Sequence, residues 1–501
     1  MKDDLETLSI AELMERSGVK FGTSGARGLT EAMTDRVCYA YTRAFLQYLQ
    51  ALGQLAMSSR VAVAGDLRPS TPRIMAAVCL AVRDSGFQPV NCGFIPSPAV
   101  ALYGIQQDIP AIMVTGSHIP DDRNGIKFNK ATGEILKTDE EGIRSQRVSF
   151  DRALFGPEGM VSEPADLPDI DEQAYLEYRE RYLGFFPTQC LKGRRIGLYE
   201  HSSVARRPLA DILAGLGADV VRLGYSEVFV PVDTEAVRPE DRVLARQWVA
   251  EHRLDALVST DGDGDRPLIS DEHGEWLRGD VAGILCARYL GARHIATPVS
   301  CNSAVEICGW FEGVDRTRIG SPYVIAAMMA ALAEGRRGVV GYEANGGFLT
   351  GDLLERGGRG LSALPTRDAI IVILSVLMLS LEQGVSVSGL LHALPARYTA
   401  SDRLKAFPGE LSRRHIAELI QGVEGNSFDA IDDMFSDRFG KVSGLDQTDG
   451  LRMSFGSGEV VHLRPSGNAP ELRCYTEADS DARAVEMTGI CLKILEGWRD
   501  I

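Results

Sequence analysis

The sequence predicts an α/β protein of several domains: three similar α/β domains with mixed sheets and a C-terminal α+β domain, arranged around one central cleft. Three observations carry this reading. At 501 residues the chain is too long for one ordinary core. A strand–helix–strand pattern recurs three times along it. Each recurrence is followed by another apolar strand that runs into a glycine-containing loop, and loops at strand ends are where open α/β sheets bind ligands.

The first unit opens with Val61-Ala62-Val63-Ala64-Gly65-Asp66. A helix follows, begun by Thr71-Pro72 and closed near Gly86, and a short strand reaches Gly93. Pro72 suits a first helical turn and Gly86 a left-handed cap, while Ile74, Val78, Ala81 and Val82 share one helical face. The order recurs from Ile196 to Gly224, with a helix around Pro208 to Leu216, and from His294 to Gly320, with a helix around Ser303 to Phe311. Gly215 and Gly217 sit at the end of the second helix and lack the third glycine of a dinucleotide fingerprint, so they read as a cap. The strands that follow the three units are Ile112-Met113-Val114, leading to Ser117; Ala256-Leu257-Val258, leading to Asp261; and Val339-Val340, leading to the loop 341–347.

The apolar run from Ala369 to Leu381 is too short to span a bilayer and reads as a buried helix. Beyond it the pattern changes. Arg452 to Phe455, Glu459 to Leu463 and Leu472 to Tyr475 alternate like strands, and Ala482 to Trp498 reads as a helix. The domain boundaries that result are 1–165, 166–275, 276–395 and 396–501.

Composition bounds the function. Hydrophobic residues make up 45% and charged residues 24%, as in an ordinary folded protein. The balance of 53 basic against 69 acidic residues gives −16, which argues against nucleic acid or an anionic membrane as the main partner. Nine scattered cysteines without a Cys-x-x-Cys pair point to reduced, buried thiols. The acidic start, Met1-Lys2-Asp3-Asp4-Leu5-Glu6, does not resemble a secretory signal, so a cytoplasmic location is expected.

Two loops carry the chemistry. In Thr115-Gly116-Ser117-His118-Ile119-Pro120 a strand stops in a glycine turn and presents a serine hydroxyl at the sheet edge, with His118 beside it and Lys127 shortly beyond. Asp261-Gly262-Asp263-Gly264-Asp265-Arg266 sets three carboxylates on alternate residues, with glycines that let the backbone fold around a hard cation such as Mg²⁺. Serine and metal loop together suggest phosphoryl transfer. A Ser-His-Asp hydrolase competes, but the Gly-x-Ser-x-Gly elbow is missing. An EF-hand is opposed by Arg266-Pro267, although Glu272 falls at its twelfth position. A phosphatase with Asp261 as nucleophile is opposed by Asp265 at the fifth place. Two further loops look built for anions: Phe21-Gly22-Thr23-Ser24-Gly25-Ala26-Arg27-Gly28 around Arg27, and Arg464-Pro465-Ser466-Gly467-Asn468-Ala469-Pro470.

Taken in order, these loops resemble the motifs of the α-D-phosphohexomutase superfamily over essentially the whole chain, and within it those of bacterial phosphomannomutases. Residues 21–28 are similar to the superfamily's N-terminal signature, 115–128 to its phosphoserine loop, 261–266 to its metal loop, 343–347 to its sugar loop and 464–473 to its phosphate loop. The resemblance implies that Ser117 carries a phosphate and that Asp261, Asp263, Asp265 and a phosphoserine oxygen hold Mg²⁺. It gives Lys127 the sugar hydroxyl proton with His118 in support, and Arg27 and Arg266 a share in neutralising charge. It places Glu343 and Asn345 on the sugar ring, and Arg464, Ser466, Gly467, Asn468 and Arg473 on the distal phosphate. The implied reaction interconverts hexose 6-phosphate and hexose 1-phosphate through a hexose 1,6-bisphosphate, which also acts as activator, with mannose preferred. The expected partner is the phosphosugar alone, with the protein a monomer or homodimer. Asn345 and Gly347 stand where serine and histidine are common, Asn468-Ala469 where Thr-Glu is frequent, and Ser321-Pro322 where polar or basic residues are common. The alternative within the resemblance is a phosphoglucomutase or phosphoglucosamine mutase; a metal-dependent sugar phosphatase and a non-enzymatic sugar-phosphate sensor are the remoter rival classes.

Overall fold

The computed structural model describes residues 5–22, 25–57, 59–163, 165–421, 428–466 and 470–499. It divides into two compact units, Met1–Arg293 with Gly320–Leu390, and His294–Ile319 with Leu391–Ile501.

The first unit holds two complete mixed sheets. In one, Arg60–Gly65 lies parallel to both Gln88–Phe94 and Ala111–Val114. Ala111–Val114 then pairs antiparallel with Arg123–Lys130, which pairs antiparallel with Ala26–Leu29. The helix Thr71–Asp84 makes the crossover from Arg60–Gly65, with Pro72 in its first turn and Ile74, Val78, Ala81 and Val82 buried on one face. In the second sheet Arg195–His201 lies parallel to Asp219–Tyr225 and to Ala256–Thr260, and Pro267–Ile269 closes it antiparallel. The helix Arg206–Gly215 is the crossover. The same unit contains an antiparallel run of Val339–Tyr342, Phe348–Thr350 and Leu364–Asp368. All four residues of Ala111–Val114, all five of Ala256–Thr260 and all four of Val339–Tyr342 are buried, as expected of strands covered on both faces.

Asp368 ends the last of these strands and caps the helix Ala369–Gln383, its side chain accepting from Ile370 N. Residues 369–380 of that helix are buried without exception. Among the described residues no single helix is long and apolar enough to cross a membrane.

In the second unit His294–Pro298 lies parallel to Gly313–Thr317. The helix expected around Ser303 to Phe311 shrinks to Ala304–Ile307, because Gly309 turns left-handed at φ 66° and ends it. The rest is α+β: a five-stranded antiparallel sheet in the order Tyr398–Leu404, Leu472–Ala478, Val460–Pro465, Leu451–Phe455, Val442–Asp446, packed with the helices Gly409–Gln421, Asp429–Phe439 and Asp481–Glu496. None of the nine cysteines forms a disulfide; seven are buried, and Cys190 and Cys308 are partly exposed.

Candidate active site

Ser117 lies three residues past the end of Ala111–Val114, fully buried and in the left-handed region at φ 58°. That conformation costs a non-glycine residue about 1–2 kcal/mol, so its surroundings must hold it. They do so through Asp66 and Arg68. The Arg68 guanidinium donates from Nη2 to the Ser117 carbonyl at 3.0 Å, ion-pairs with Asp66 and lies 4.1 Å from the centre of the Phe229 ring. Asp66 accepts from the hydroxyls of Thr115 and Thr71, each at 2.7 Å, and the Thr115 hydroxyl accepts from Ser117 N at 2.7 Å. Gly116 is glycine because a Cβ there would stand 2.8 Å from Arg68 Cζ.

The metal loop continues directly from the strand Ala256–Thr260. A Cβ on Gly262 would lie 2.8 Å from the Ser117 carbonyl oxygen, so the two loops are packed backbone to backbone. The Ser117 hydroxyl donates to Asp261 Oδ2 at 2.6 Å. Asp263 Oδ2 accepts from Ser97 Oγ and from Lys127 Nζ, both at 2.6 Å. Asp265 Oδ2 accepts from Lys127 Nζ at 2.6 Å and from Arg367 Nη2 at 2.9 Å. None of the three aspartates is more than 2% exposed. Burial, with Asp263 and Asp265 beside it, raises the Asp261 carboxyl well above the usual range. Burial would raise Asp263 and Asp265 too, but Lys127 holds the first below the ordinary carboxylate range and Arg367 the second.

This donor set fits a hard divalent cation. One oxygen from each aspartate lies within 4.8 Å of the others, and Asp263 Oδ1 and Asp265 Oδ1 are buried without a hydrogen-bond partner. Buried acceptors left unpaired cost about 1–3 kcal/mol each, a cost that a bound cation removes.

Cations surround the serine. Lys127 projects from Arg123–Lys130, and Arg27 sits on the adjacent strand opposite Gly125. Arg266 Nε lies 3.9 Å from Asp261 and 3.7 Å from Asp265. Burial, Arg266 and Arg367 pull Arg27 down to about 10. His118 Nδ1 lies 3.5 Å from Ser117 Oγ, and burial with Arg266 and Arg27 nearby lowers its pKa to about 2, so the ring is neutral. A neutral imidazole among guanidinium groups beside a hydroxyl is an environment made for an anion.

The loop 343–347 leaves the strand Val339–Tyr342 and turns on Gly346, at φ 85°, with Gly346 N donating to the Glu343 carbonyl. The Asn345 side-chain oxygen accepts from Gly347 N at 2.9 Å, and its carbonyl accepts from Thr234 at 2.8 Å, so Asn345 shapes the loop. Glu343 is 4% exposed and accepts from Arg367 Nη1 at 3.0 Å through Oε2.

The structure therefore brings Ser117, His118, Lys127, Asp261, Asp263, Asp265, Arg27, Arg266 and Glu343 into one neighbourhood of the first unit. Of the phosphate-loop residues, Arg464 pairs with Asp449 at 2.8 Å and opposes Arg473 in the sheet of the second unit. Ser466 donates its backbone N–H to Glu471 O, and Gly467 and Asn468 lie outside the described residues. Three groups escaped the sequence reading: the Asp66–Arg68 support, Ser97 and Arg367. Ser97-Pro98 reads as a helix start and Arg367-Asp368 as the polar edge of an apolar helix, and neither signal points to a site.

Comparison with known proteins agrees in one direction. The family models described as phosphoglucomutase/phosphomannomutase alpha/beta/alpha domain I, alpha/beta/alpha domain III and C-terminal domain match residues 18–149, 278–398 and 416–488. A phosphomannomutase of Sinorhizobium fredii is 44% identical over 482 residues, covering 95% of this chain and 99% of its own. A phosphomannomutase of Salmonella muenchen is 45% identical over 473 residues, 94% of this chain and 95% of its own. The crystal structure of a phosphoglucomutase/phosphomannomutase family protein from Burkholderia thailandensis shares the fold, with a TM-score of 0.71 at 19% identity over 95% of this chain and 97% of that one.

Proposed function

The chain belongs to the phosphoglucomutase/phosphomannomutase family, and from that premise we propose that it is a hexose phosphate mutase that carries phosphate on Ser117 and prefers mannose phosphate. The observation that carries the reading is the Ser117 hydroxyl held 2.6 Å from Asp261 and flanked by Lys127, Arg27 and Arg266.

In the proposed cycle a free hydroxyl of hexose 6-phosphate attacks the phosphorus of phospho-Ser117. The new P–O bond forms on the sugar as the P–Oγ bond breaks, giving a 1,6-bisphosphate. Ser117 then accepts the other phosphoryl group and releases hexose 1-phosphate. Lys127 is assigned the sugar hydroxyl proton and returns one of its own to the departing Ser117 oxygen, so its charge is unchanged, and neutral His118 supports it. Positioning and charge neutralisation supply most of the rate in such transfers, which is the work of Arg27, Arg266 and Lys127. Asp261, Asp263, Asp265 and an oxygen of phosphorylated Ser117 would hold Mg²⁺, which when bound draws negative charge off the phosphoryl oxygens. Glu343 and Asn345 read ring hydroxyls, and Arg464, Ser466, Gly467, Asn468 and Arg473 bind the distal phosphate. The mannose preference rests on the names of the two relatives at 44% and 45% identity. The cytoplasmic placement rests on nine cysteines without a disulfide.

A coupled assay on mannose, glucose and glucosamine 6-phosphates, each primed with a trace of its 1,6-bisphosphate and Mg²⁺, tests the reading. The expected result is isomerisation of all or some, with the highest kcat/KM for mannose 6-phosphate. Release of inorganic phosphate without isomerisation would make the protein a phosphatase. Binding without turnover would make it a sensor.

A further inference from the structure

Arg367 sits on the strand Leu364–Asp368 with 1% exposure, one of the most deeply enclosed large side chains described. Its guanidinium spans two loops: Nε and Nη2 donate to Asp265 Oδ2 at 3.1 and 2.9 Å, and Nη1 donates to Glu343 Oε2 at 3.0 Å. Nη1 also lies 3.4 Å from Ser321 Oγ, whose hydroxyl donates to Glu134, and Glu134 accepts from Thr366 as well. One planar cation thus fixes two buried carboxylates that come from different sheets.

Gly347 supplies an independent observation. Its φ is not in the left-handed region, so the backbone does not require glycine there. Space does. A Cβ at 347 would stand 2.4 Å from Arg367 Cδ, 2.6 Å from Cγ and 3.0 Å from Cβ. Those are stem atoms close to the backbone, and they cannot swing aside without moving the guanidinium. The glycine exists to admit the arginine.

We propose that Arg367, seated against Gly347, is a positioning residue for sugar recognition: it holds Glu343 through Oε2 in register with Asp265, so that the carboxylate meets the ring hydroxyls in one orientation. The inference rests on the assignment of Glu343 to the sugar. A lysine at 367 keeps the charge but reaches as a single point and cannot bridge Asp265 and Glu343 in one plane. Glu343 then loses its fixed orientation while both carboxylates keep a counter-charge.

The test measures binding without turnover, by calorimetry of mannose 6-phosphate and glucose 6-phosphate in a Ser117→Ala background with Mg²⁺ present. Arg367→Lys is expected to weaken the preferred sugar phosphate about tenfold and to bring the ratio of the two affinities toward one. Gly347→Ala should reproduce that pattern, since its methyl displaces the same side chain, and it serves alone if Arg367→Lys fails to fold. In an Arg367→Ala background Gly347→Ala should add less than twofold, because the obstructing stem is gone. Equal weakening of both sugars, or an unmoved ratio in folded variants, overturns the proposal. Wild-type turnover is followed alongside. If binding responds as expected but no isomerisation occurs, the mutase reading fails and this one stands; if isomerisation is intact and the ratio does not move, the reverse holds. Absence of hexose phosphate binding overturns both.

Discussion

Ser117 combines the hydroxyl proposed to carry phosphate with a backbone that only glycine adopts at no cost, and the two properties separate by mutation. Ser117→Ala and Ser117→Gly should both abolish turnover and lose the bond to Asp261. The glycine variant is expected to be the more stable of the two by about 1 kcal/mol, because it alone relieves the left-handed φ of 58°. Urea denaturation of both variants checks this, and intact-mass analysis of the wild type should place a phosphorylated fraction on Ser117. Equal midpoints would mean that the loop is not strained at this residue. At Glu343 the expectation is kinetic. Losing a charged hydrogen bond costs about 1.5–3 kcal/mol, so Glu343→Gln should lower kcat/KM roughly tenfold to hundredfold. In the proposed role the same carboxylate meets the sugar in both orientations of the bisphosphate, so the forward and reverse reactions should fall alike.

At the scale of elements, the strand Arg195–His201 underpins the metal loop through a histidine. His201 Nε2 donates to the Thr260 carbonyl at 2.8 Å, one residue before Asp261, while Nδ1 is buried without a hydrogen-bond partner. Burial lowers its pKa to about 4. Between that value and an unfolded pKa of about 6.5 the unfolded chain binds the extra proton, so stability rises with pH across the window and is lost on acidification from about 6.5 to about 4. The loss amounts to about 3 kcal/mol for this one group. His201→Phe should flatten that part of a plot of urea midpoint against pH; an unchanged slope would show that His201 does not titrate in this window. The same histidine shows where the sequence stops being legible. The crossover units were readable because Pro72, Gly86 and the Ile74–Val78–Ala81–Val82 face are local signals, and the serine and aspartate loops because their spacing is their chemistry. The helix after Ser303 was overdrawn because Gly309 decides its end. In the C-terminal sheet Tyr398–Leu404 and Val442–Asp446 were missed: Ala400-Ser401-Asp402-Arg403 and Ser443-Gly444 carry weak alternation, and tertiary pairing makes them strands. His201, Arg68 and Arg367 act across distances of 59, 49 and 102 residues, which no local pattern encodes.

For the whole molecule the proposed metal site of Asp261, Asp263 and Asp265 would link folding to metal. Lys127 and Arg367 already neutralise much of their charge, so a chelator should leave the protein folded but inactive. Mg²⁺ at about a hundredfold its dissociation constant should then add about 2.7 kcal/mol of stability, and Asp263→Asn should remove most of that gain. A thermal midpoint that ignores Mg²⁺ in the wild type would contradict the metal assignment. The net charge of −16 sharpens the contrast with the cationic surroundings of Ser117: a net negative chain discourages polyanions, while Arg27, Arg266 and Lys127 gather positive charge in the one buried place where the proposal puts a small phosphate ester.

Cysteines that form no disulfide have a practical consequence. Burial pushes the thiols of Cys38, Cys79 and Cys92 up to about 12, so in the native state they are protonated and shielded from electrophiles. Cys474 and Cys491 are buried likewise in the C-terminal sheet and its helix. An alkylating reagent therefore reads the breathing of each region separately: where reclosing outpaces alkylation, the rate at which a given cysteine acquires mass reports the equilibrium population of its opened surroundings. The chain carries native reporters on both sides of the unit boundary, and mass spectrometry can follow them with and without a phosphosugar, with no label introduced.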